Sequence, residues 1–454
     1  MTSEPDTMDL ISSIPFFGPF LSTVIPFVVV LGIVVFVHEY GHYIVARWCG
    51  IHSEVFSIGF GPVIWSRTDA RGTLWQLAAI PLGGYVKFLG DGDGSSRADP
   101  GALAHMSQQD LTRSFHGAAV WRRSLTVLAG PVANFILTIV VFAGLVTWQG
   151  MPYERPVVGE ILELPGDDMP IQAGDLITAV NGAPVATFAE VLEKAIDMDP
   201  AGPMEVSIDR DGQRMTVEAP FAFPPLVQGV EPLSPASEAG LRRGDVILSA
   251  DGTDLVTFDD LRQVVLASGD KTIPLDVWRE GETVQLQITP VDRDADDGEG
   301  GFERRVMIGV AGGPIYLPAT YTPMPWTAVG VGAMRMVGII GQSLNGIKHM
   351  ITGAISPDNL QGPLGIAQVS GETAQQGFLS FIVLIGIIST AIGMLNLFPI
   401  PVLDGGHLLA FLIEAIRGKP PSPAVMQIAM SIGLGLILLL MVFATYNDIM
   451  RLVS

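Results

Sequence analysis

The chain has 454 residues, 48% hydrophobic and only 16% charged, and its mean hydropathy is +0.44. A soluble protein carries about a quarter charged residues, so a large part of this one lies outside water. The formal net charge of -21 is concentrated between Met151 and Pro314, where 31 acidic residues outnumber 12 basic ones; that segment is solvated, and its acidity excludes nucleic acid as a partner. A single cysteine, Cys49, excludes an intramolecular disulfide and a sulfur-rich metal cluster.

Four apolar runs are long enough to cross a lipid bilayer, which takes about 20 residues: 24–48, 124–148, 378–398 and 425–446. Residues 1–55 form an N-terminal segment and the first of these helices. Glu4, Asp6 and Asp9 precede it with no Lys or Arg, whereas a cleavable signal peptide opens on a basic stretch, so the helix is expected to be retained. It contains VFVHEYGHYIV. The four-residue spacing sets His38 and His42 one turn apart on one helical face, where two imidazoles can hold one zinc ion. Glu39 lies beside that face and can take a proton from a water. Ionisable residues in a spanning helix are costly unless paired or metal-bound; a non-catalytic ion or proton site would meet the same requirement.

Residues 56–123 are expected to form a membrane-associated β region and a loop on the cytoplasmic side. The stretch FSIGFGPVIWSRTDARGTLWQLAAIPLGGYVKF reads as strands and hairpins with a charged turn at 67–72. Arg47, Arg67, Arg71, Lys87, Arg97, Arg113, Arg122 and Arg123 all lie between the first two helices, and Arg417 and Lys419 between the last two. The excess of basic residues puts both connections in the cytoplasm and the acidic region outside. The second spanning helix occupies 124–150.

An internal repeat follows. AGDLITAVNG at 173–182 and RGDVILSADG at 243–252 are offset by 70 residues, and each is followed by a Phe, a short helix and a strand-like pair with turns at Asp211-Gly212 and Glu280-Gly281. Two small α/β domains are expected, at 155–223 and 224–291. Their G-D-x-I strand followed by a helix and a hairpin resembles the circularly permuted PDZ domains of bacteria, which implies recognition of an extended peptide; a spacing role is the alternative. Residues 292–324 read as an acidic linker and loop, and 325–377 as an amphipathic helix at the membrane surface followed by a loop.

The third transmembrane segment, 378–407, ends in NLFPIPVLDGGH. Pro399 and Pro401 interrupt the helix and the glycine pair frees the backbone, so Asp404 can be delivered to the histidines as a third zinc ligand; a helix cap is the other use of such a residue. The cytoplasmic connection and the fourth helix make up 408–454.

HEYGH and NLFPIPVLDGG, with FSIGFGP, PLGGYVKF and AGPVAN, resemble the site-2 protease class of intramembrane zinc metalloproteases, and the tandem repeats make the chain similar to the bacterial regulator-of-sigma-E protease group. The fold expected is a multi-pass α-helical membrane protein with about four transmembrane helices, a membrane-associated β region and two extracytoplasmic PDZ-like α/β domains. The resemblance implies Zn2+ held by His38, His42 and Asp404, catalysis by Glu39, and substrate contacts from Asn396, Asn134, Gly83 and Gly84. It implies an inner-membrane enzyme that cuts single-span membrane proteins, such as an anti-sigma factor already cleaved by another protease, or remnant signal peptides. Read from the residues alone, Asn134 and Asn396 are amides in apolar surroundings that require partners. A metal-binding scaffold with peptide-binding domains and a metal or proton transporter are the other readings. The full set of three ligands and Glu39 favours the protease, and the absence of an evident inverted repeat disfavours the transporter.

Overall fold

The computed structural model describes residues 18–92, 99–166, 169–200, 202, 204–296 and 301–453. The expected N-terminal segment before residue 18 and the glycine-containing stretch 297–300 lie outside them. The chain divides into a helical unit, Met1–Gly144 with Trp326–Lys348 and Pro357–Ser454, and a β-rich unit, Leu145–Pro325 with His349–Ser356.

The helical unit opens with α1 (Gly18–Trp48), whose 31 residues reach about 46 Å at 1.5 Å per residue. Strands β1 (Ser53–Thr68) and β2 (Leu74–Phe88) follow, joined by a turn in which Asp69 Oδ1 accepts hydrogen bonds from the backbone of Arg71 and Thr73. Both strands fold back on themselves. Residues 53–58 pair with 84–88 on one side and 74–77 on the other, while 63–68 pair with 74–78. One curled sheet results, in the order 63–68, 74–78, 53–58, 84–88, with 84–88 as an edge. β1 bends at Gly59 and Gly61, both in the left-handed region at φ 88° and 85°, where a side chain would be strained. Around the bend Phe60, Val63, Ile64 and Trp65 are exposed, an apolar surface suited to lipid rather than water. Then comes α2 (Val120–Gln149).

The β-rich unit contains the two repeats. The first has β3 (Val158–Ile161), β4 (Leu176–Val180), α3 (Phe188–Ile196), β5 (Met204–Arg210) and β6 (Gln213–Ala219); the second has β7 (Val227–Val230), β8 (Val246–Ala250), α4 (Phe258–Ser268), β9 (Ile273–Arg279) and β10 (Glu282–Ile288). In each, an antiparallel sheet runs β4-β5-β6 or β8-β9-β10. Asp211-Gly212 and Glu280-Gly281 have φ of 53° and 84°, and 50° and 92°, the left-handed pair that a two-residue hairpin turn of the right twist demands. The repeated G-D has a structural cause. Arg210 donates Nε and Nη2 to the two oxygens of Asp175 at 2.7 Å each, and Arg279 does the same to Asp245. Each fork ties the start of a core strand to the end of the strand beside it.

Among its described residues, the stretch expected to be an acidic linker and loop, 292–324, is mostly strand. β11 (Val291–Asp296) pairs with β12 (Phe302–Met307), β13 (Val310–Gly312) pairs back onto β7, and β14 (Tyr316–Pro318) pairs back onto β3. Tyr316 is fully buried in the core of the first repeat beside Val158 and Ile177. The boundaries 155–223 and 224–291 therefore each omit a strand supplied from far downstream. The charges hid this: Asp294, an acid that reads as part of a solvated tether, stands opposite Arg304 across the pair.

The chain closes with α5 (Pro325–Thr352), α6 (Pro363–Gln375), α7 (Phe378–Asn396), α8 (Asp404–Arg417) and α9 (Pro423–Val453). Among the described residues five helices, α1, α2, α5, α7 and α9, are long and apolar enough to cross a membrane, one more than the four expected. The addition is α5, which is also the least apolar, with a mean hydropathy of 1.2 against 2.2 to 2.8 for the others. Gly332 lets α5 lie close to α2, since a β-carbon there would stand 2.6 Å from the Ile139 carbonyl oxygen. Helix α6 falls where a loop was expected. Its small and polar residues show little amphipathic pattern because they serve close packing: a β-carbon on Gly371 would stand 2.9 Å from Thr23 of α1. Its start is held by the buried Asp448 of α9, which accepts from the backbone N–H of Gly362 at 3.0 Å and Gly365 at 2.9 Å.

Candidate metal centre

Helix α1 places His38 and His42 so that their Nε2 atoms are 3.1 Å apart. Asp404, the first residue of α8, brings Oδ2 to 3.1 Å from His38 Nε2 and 3.5 Å from His42 Nε2. A tetrahedral zinc ion with bonds of 2.0–2.2 Å spaces its ligands by about 3.3–3.5 Å, so this triangle has the size a zinc ion requires. Both histidines are buried, and Asp404 Oδ2 is buried without a hydrogen-bond partner. An orphaned anionic oxygen is expensive unless a cation meets it, and among the described residues these three form the group that could hold a metal.

The rings are aimed from behind. His42 Nδ1 lies 2.9 Å from the Thr126 carbonyl oxygen of α2; it can only donate there, which leaves the Nε2 lone pair for a metal. Pro131, inside α2, lacks the N–H that would bond the Val127 carbonyl, loosening the backbone ladder at this turn. His38 Nδ1 lies 3.2 Å from the amide nitrogen of Asn134, whose oxygen is buried without a partner. The tautomer that frees Nε2 carries its proton on Nδ1, and a half-turn of the amide presents Oδ1 to that proton.

Asp404 arrives through a tight return. A β-carbon on Gly405 would stand 2.3 Å from the carbonyl oxygens of Leu397 and Phe398, and one on Gly406 2.3 Å from that of Ile400. Both glycines are helical, so their missing side chains, rather than a free backbone, let α8 sit against the Pro399–Pro401 turn. The Asp404 carboxylate is turned to the histidines and does not cap α8; the N-cap position is Leu403, with no side-chain cap.

A cavity of about 220 Å³ opens beside the triangle, lined by Glu39, Gly84, Asn396 and His407 among others. Gly84, Tyr85, Val86 and Phe88 line it, and a β-carbon on Gly84 would stand 3.1 Å from Glu39 Cγ, so the edge segment 84–88 forms one wall. Asn396 lines the cavity while its Nδ2 donates to Ile392 of its own helix at 3.1 Å. Asn134, expected among the substrate contacts, is fully buried behind His38; the partner its amide required is a ring nitrogen. Gly83, also expected there, makes a bend at φ 148° packed on the Phe60 ring and does not line the cavity. Sequence reasoning missed three contributors. The Thr126 carbonyl carries no side-chain signal, and His407 lies three residues after Asp404. A β-carbon on Gly130 would stand 2.3 Å from His42 Nε2 and 2.8 Å from His38 Nε2; it lies in the AGPVAN stretch that carries part of the resemblance, where no role was given to it.

The class these observations define is a metallopeptidase built among apolar helices. More narrowly, the chain belongs to peptidase family M50, whose family model matches residues 26–440. It is 37% identical to the Agrobacterium fabrum protein named “Putative zinc metalloprotease Atu1380”, over 95% of this chain and 96% of that one. It is 34% identical to the regulator of sigma-E protease RseP of Escherichia coli, over 95% of this chain and 99% of that one. Identity to the Salmonella typhi protein named regulator of sigma E protease is also 34%, over 94% and 98%.

Proposed function

We propose that this chain is a zinc-dependent endopeptidase of the inner membrane that cuts single-span membrane proteins within or beside their spans. The observation that carries this reading is the closed triangle of His38, His42 and Asp404 with Glu39 against it. The family and the names of the relatives support both the activity and the metal. Zinc held there supplies the Lewis acidity that activates a water and polarises a scissile carbonyl. Glu39 takes the proton from the attacking water and delivers it to the departing amine nitrogen. Thr126 and Asn134 keep the imidazoles turned to the metal. The edge 84–88 receives the substrate as an added strand, meeting the backbone groups that a span exposes when it unwinds. Asn396, which lines the same cavity, holds the substrate amide.

The two repeats act as PDZ-like domains on the outer side, admitting substrates whose external part another protease has already trimmed. Helix α5 lies along the membrane surface, which its lower hydropathy and its Arg335, Asn345 and Lys348 support; four helices then span, and both basic connections face the cytoplasm. A cut near the cytoplasmic end releases a soluble fragment, which suits an anti-sigma factor, as the names of the sigma-E relatives suggest, and also remnant signal peptides. Reconstituted protein with a labelled single-span substrate should cleave it, and Glu39→Gln should abolish cleavage while still binding zinc. Equal cleavage by both proteins would remove Glu39 from the mechanism.

A further inference from the structure

Three arginines far apart in the sequence converge on a second cavity, of about 380 Å³, at the end of α1. Arg47 comes from the last turn of α1, Arg71 from the turn between β1 and β2, and Arg113 from the end of a short helix, Gln108–Arg113; His52, Ser53 and Thr73 complete the polar lining. None of the three guanidiniums has an ion pair or side-chain hydrogen bond among the described residues. Of the nearby carboxylates, Glu54 is paired with Lys87 at 2.9 Å. Asp69 accepts only from neutral groups, Tyr43 Oη, Trp75 Nε1 and the backbone of Arg71 and Thr73, so its charge offsets one of the three arginines and a net positive excess remains at the cavity.

The negative end of the α1 dipole opposes an anion, but its last carbonyls are occupied: Val45, Ala46 and Arg47 accept from Cys49, Ile51 and Gly50. The net positive excess outweighs that residual half charge. Beside Arg47, at the end of the apolar run, Trp48 is 75% exposed, as an aromatic side chain at a membrane–water boundary is.

We infer that this cavity binds a phosphate group, with Arg47, Arg71 and Arg113 as its cationic clamp. Planar guanidiniums suit phosphate oxygens, and the position at the boundary makes the phosphate of an anionic phospholipid headgroup the fitting source. The site lies on the helix that carries His38 and His42 but shares no lining residue with the metal cavity.

The test is calorimetric titration of the full-length protein in neutral detergent with dioctanoyl phosphatidylglycerol, dioctanoyl phosphatidylcholine and inorganic phosphate. The phosphatidylglycerol should bind saturably at one site. Arg71→Gln and Arg113→Gln, both at exposed positions whose replacement leaves the core intact, should each weaken it roughly tenfold. Arg67→Gln, an exposed arginine outside the cavity, should leave it unchanged. Inorganic phosphate that competes with the lipid confirms the shared group, and phosphate that binds where the lipid does not assigns the site to a free phosphate. Saturable binding by neither, equal binding of phosphatidylcholine, or unchanged binding in the two arginine variants would overturn the inference.

Discussion

Replacing Gly130 by Ala tests the metal centre without touching a ligand. The added methyl carbon would stand 2.3 Å from Nε2 and 2.4 Å from Cε1 of His42, and 2.8 Å from Nε2 of His38. Non-bonded heavy atoms settle at about 3.5–4.0 Å, so the His42 ring must retreat by roughly 1 Å. Metal–ligand distances tolerate about 0.2 Å. Separating α1 from α2 would give room, but Gly41 of α1 is packed so closely on α2 that a β-carbon there would stand 2.4 Å from the Ala129 carbonyl oxygen, and opening that contact forfeits the packing around it. The alternative is a swing of the imidazoles that breaks the triangle. Overpacking of this kind costs about 1–3 kcal/mol; charged to the metal-bound form, 3 kcal/mol weakens zinc binding by about 100-fold. Chelator competition on purified protein measures this directly. Gly144→Ala in the same helix is the control, because its β-carbon meets nothing within 4 Å. Wild-type zinc affinity in Gly130→Ala would refute the placement of the donor triangle.

Three further outcomes follow from the same geometry. Asn134→Ala, which removes the partner of His38 Nδ1, should weaken zinc binding about 10- to 100-fold, and Asn134→Asp, which keeps an acceptor there, should recover most of it in the same competition assay. Gly84→Ala would push a methyl to 2.8 Å from the Ser57 carbonyl oxygen and 3.1 Å from Glu39 Cγ; kcat/KM should fall roughly 10- to 100-fold with zinc content unchanged, and a loss of zinc would show that the edge segment supports the ligands instead. In the first repeat, the Arg210 fork holds the Asp175 carboxyl below the usual carboxylate range. A lowered pKa stabilises the fold above the unfolded value of about 3.9, and that stability is lost as the pH falls through the folded pKa. Hydrogen exchange of the full-length protein should therefore show protection of β4 and β5 eroding below about pH 4, and Asp175→Asn should reduce it roughly 30- to 100-fold at neutral pH. Protection in the variant equal to wild type would make the fork incidental.

What could be read from the sequence was local chemistry, and what could not was the choice of partner. HEYGH marks two candidate ligands by helical spacing alone, and Asp404 could be grouped with them because prolines and glycines mark the return that carries it. Asn134 shows the limit. An amide in an apolar helix announces that it needs a partner, but whether the partner is a substrate or a ring nitrogen depends on which face of α2 meets α1, and that is set by Gly41 and Gly130, whose contribution is absent volume. The strands at 310–318 were hidden for a related reason. Their partners, at 227–230 and 158–161, lie 80 or more residues upstream, and three-residue strands are too short for alternation to show. The arginines at 47, 71 and 113 were legible only as a count that orients the loop; that they share one cavity depends on the double fold of β1 and β2. Glycine therefore carries much of the site's specification here. A scan that replaces Gly41, Gly130, Gly405 and Gly406 one at a time by Ala should deplete zinc at each position, whereas Gly144, Gly330 and Gly338, whose β-carbons would meet nothing within 4 Å, should tolerate it. Equal tolerance in both sets would mean that helix approach does not set the metal geometry.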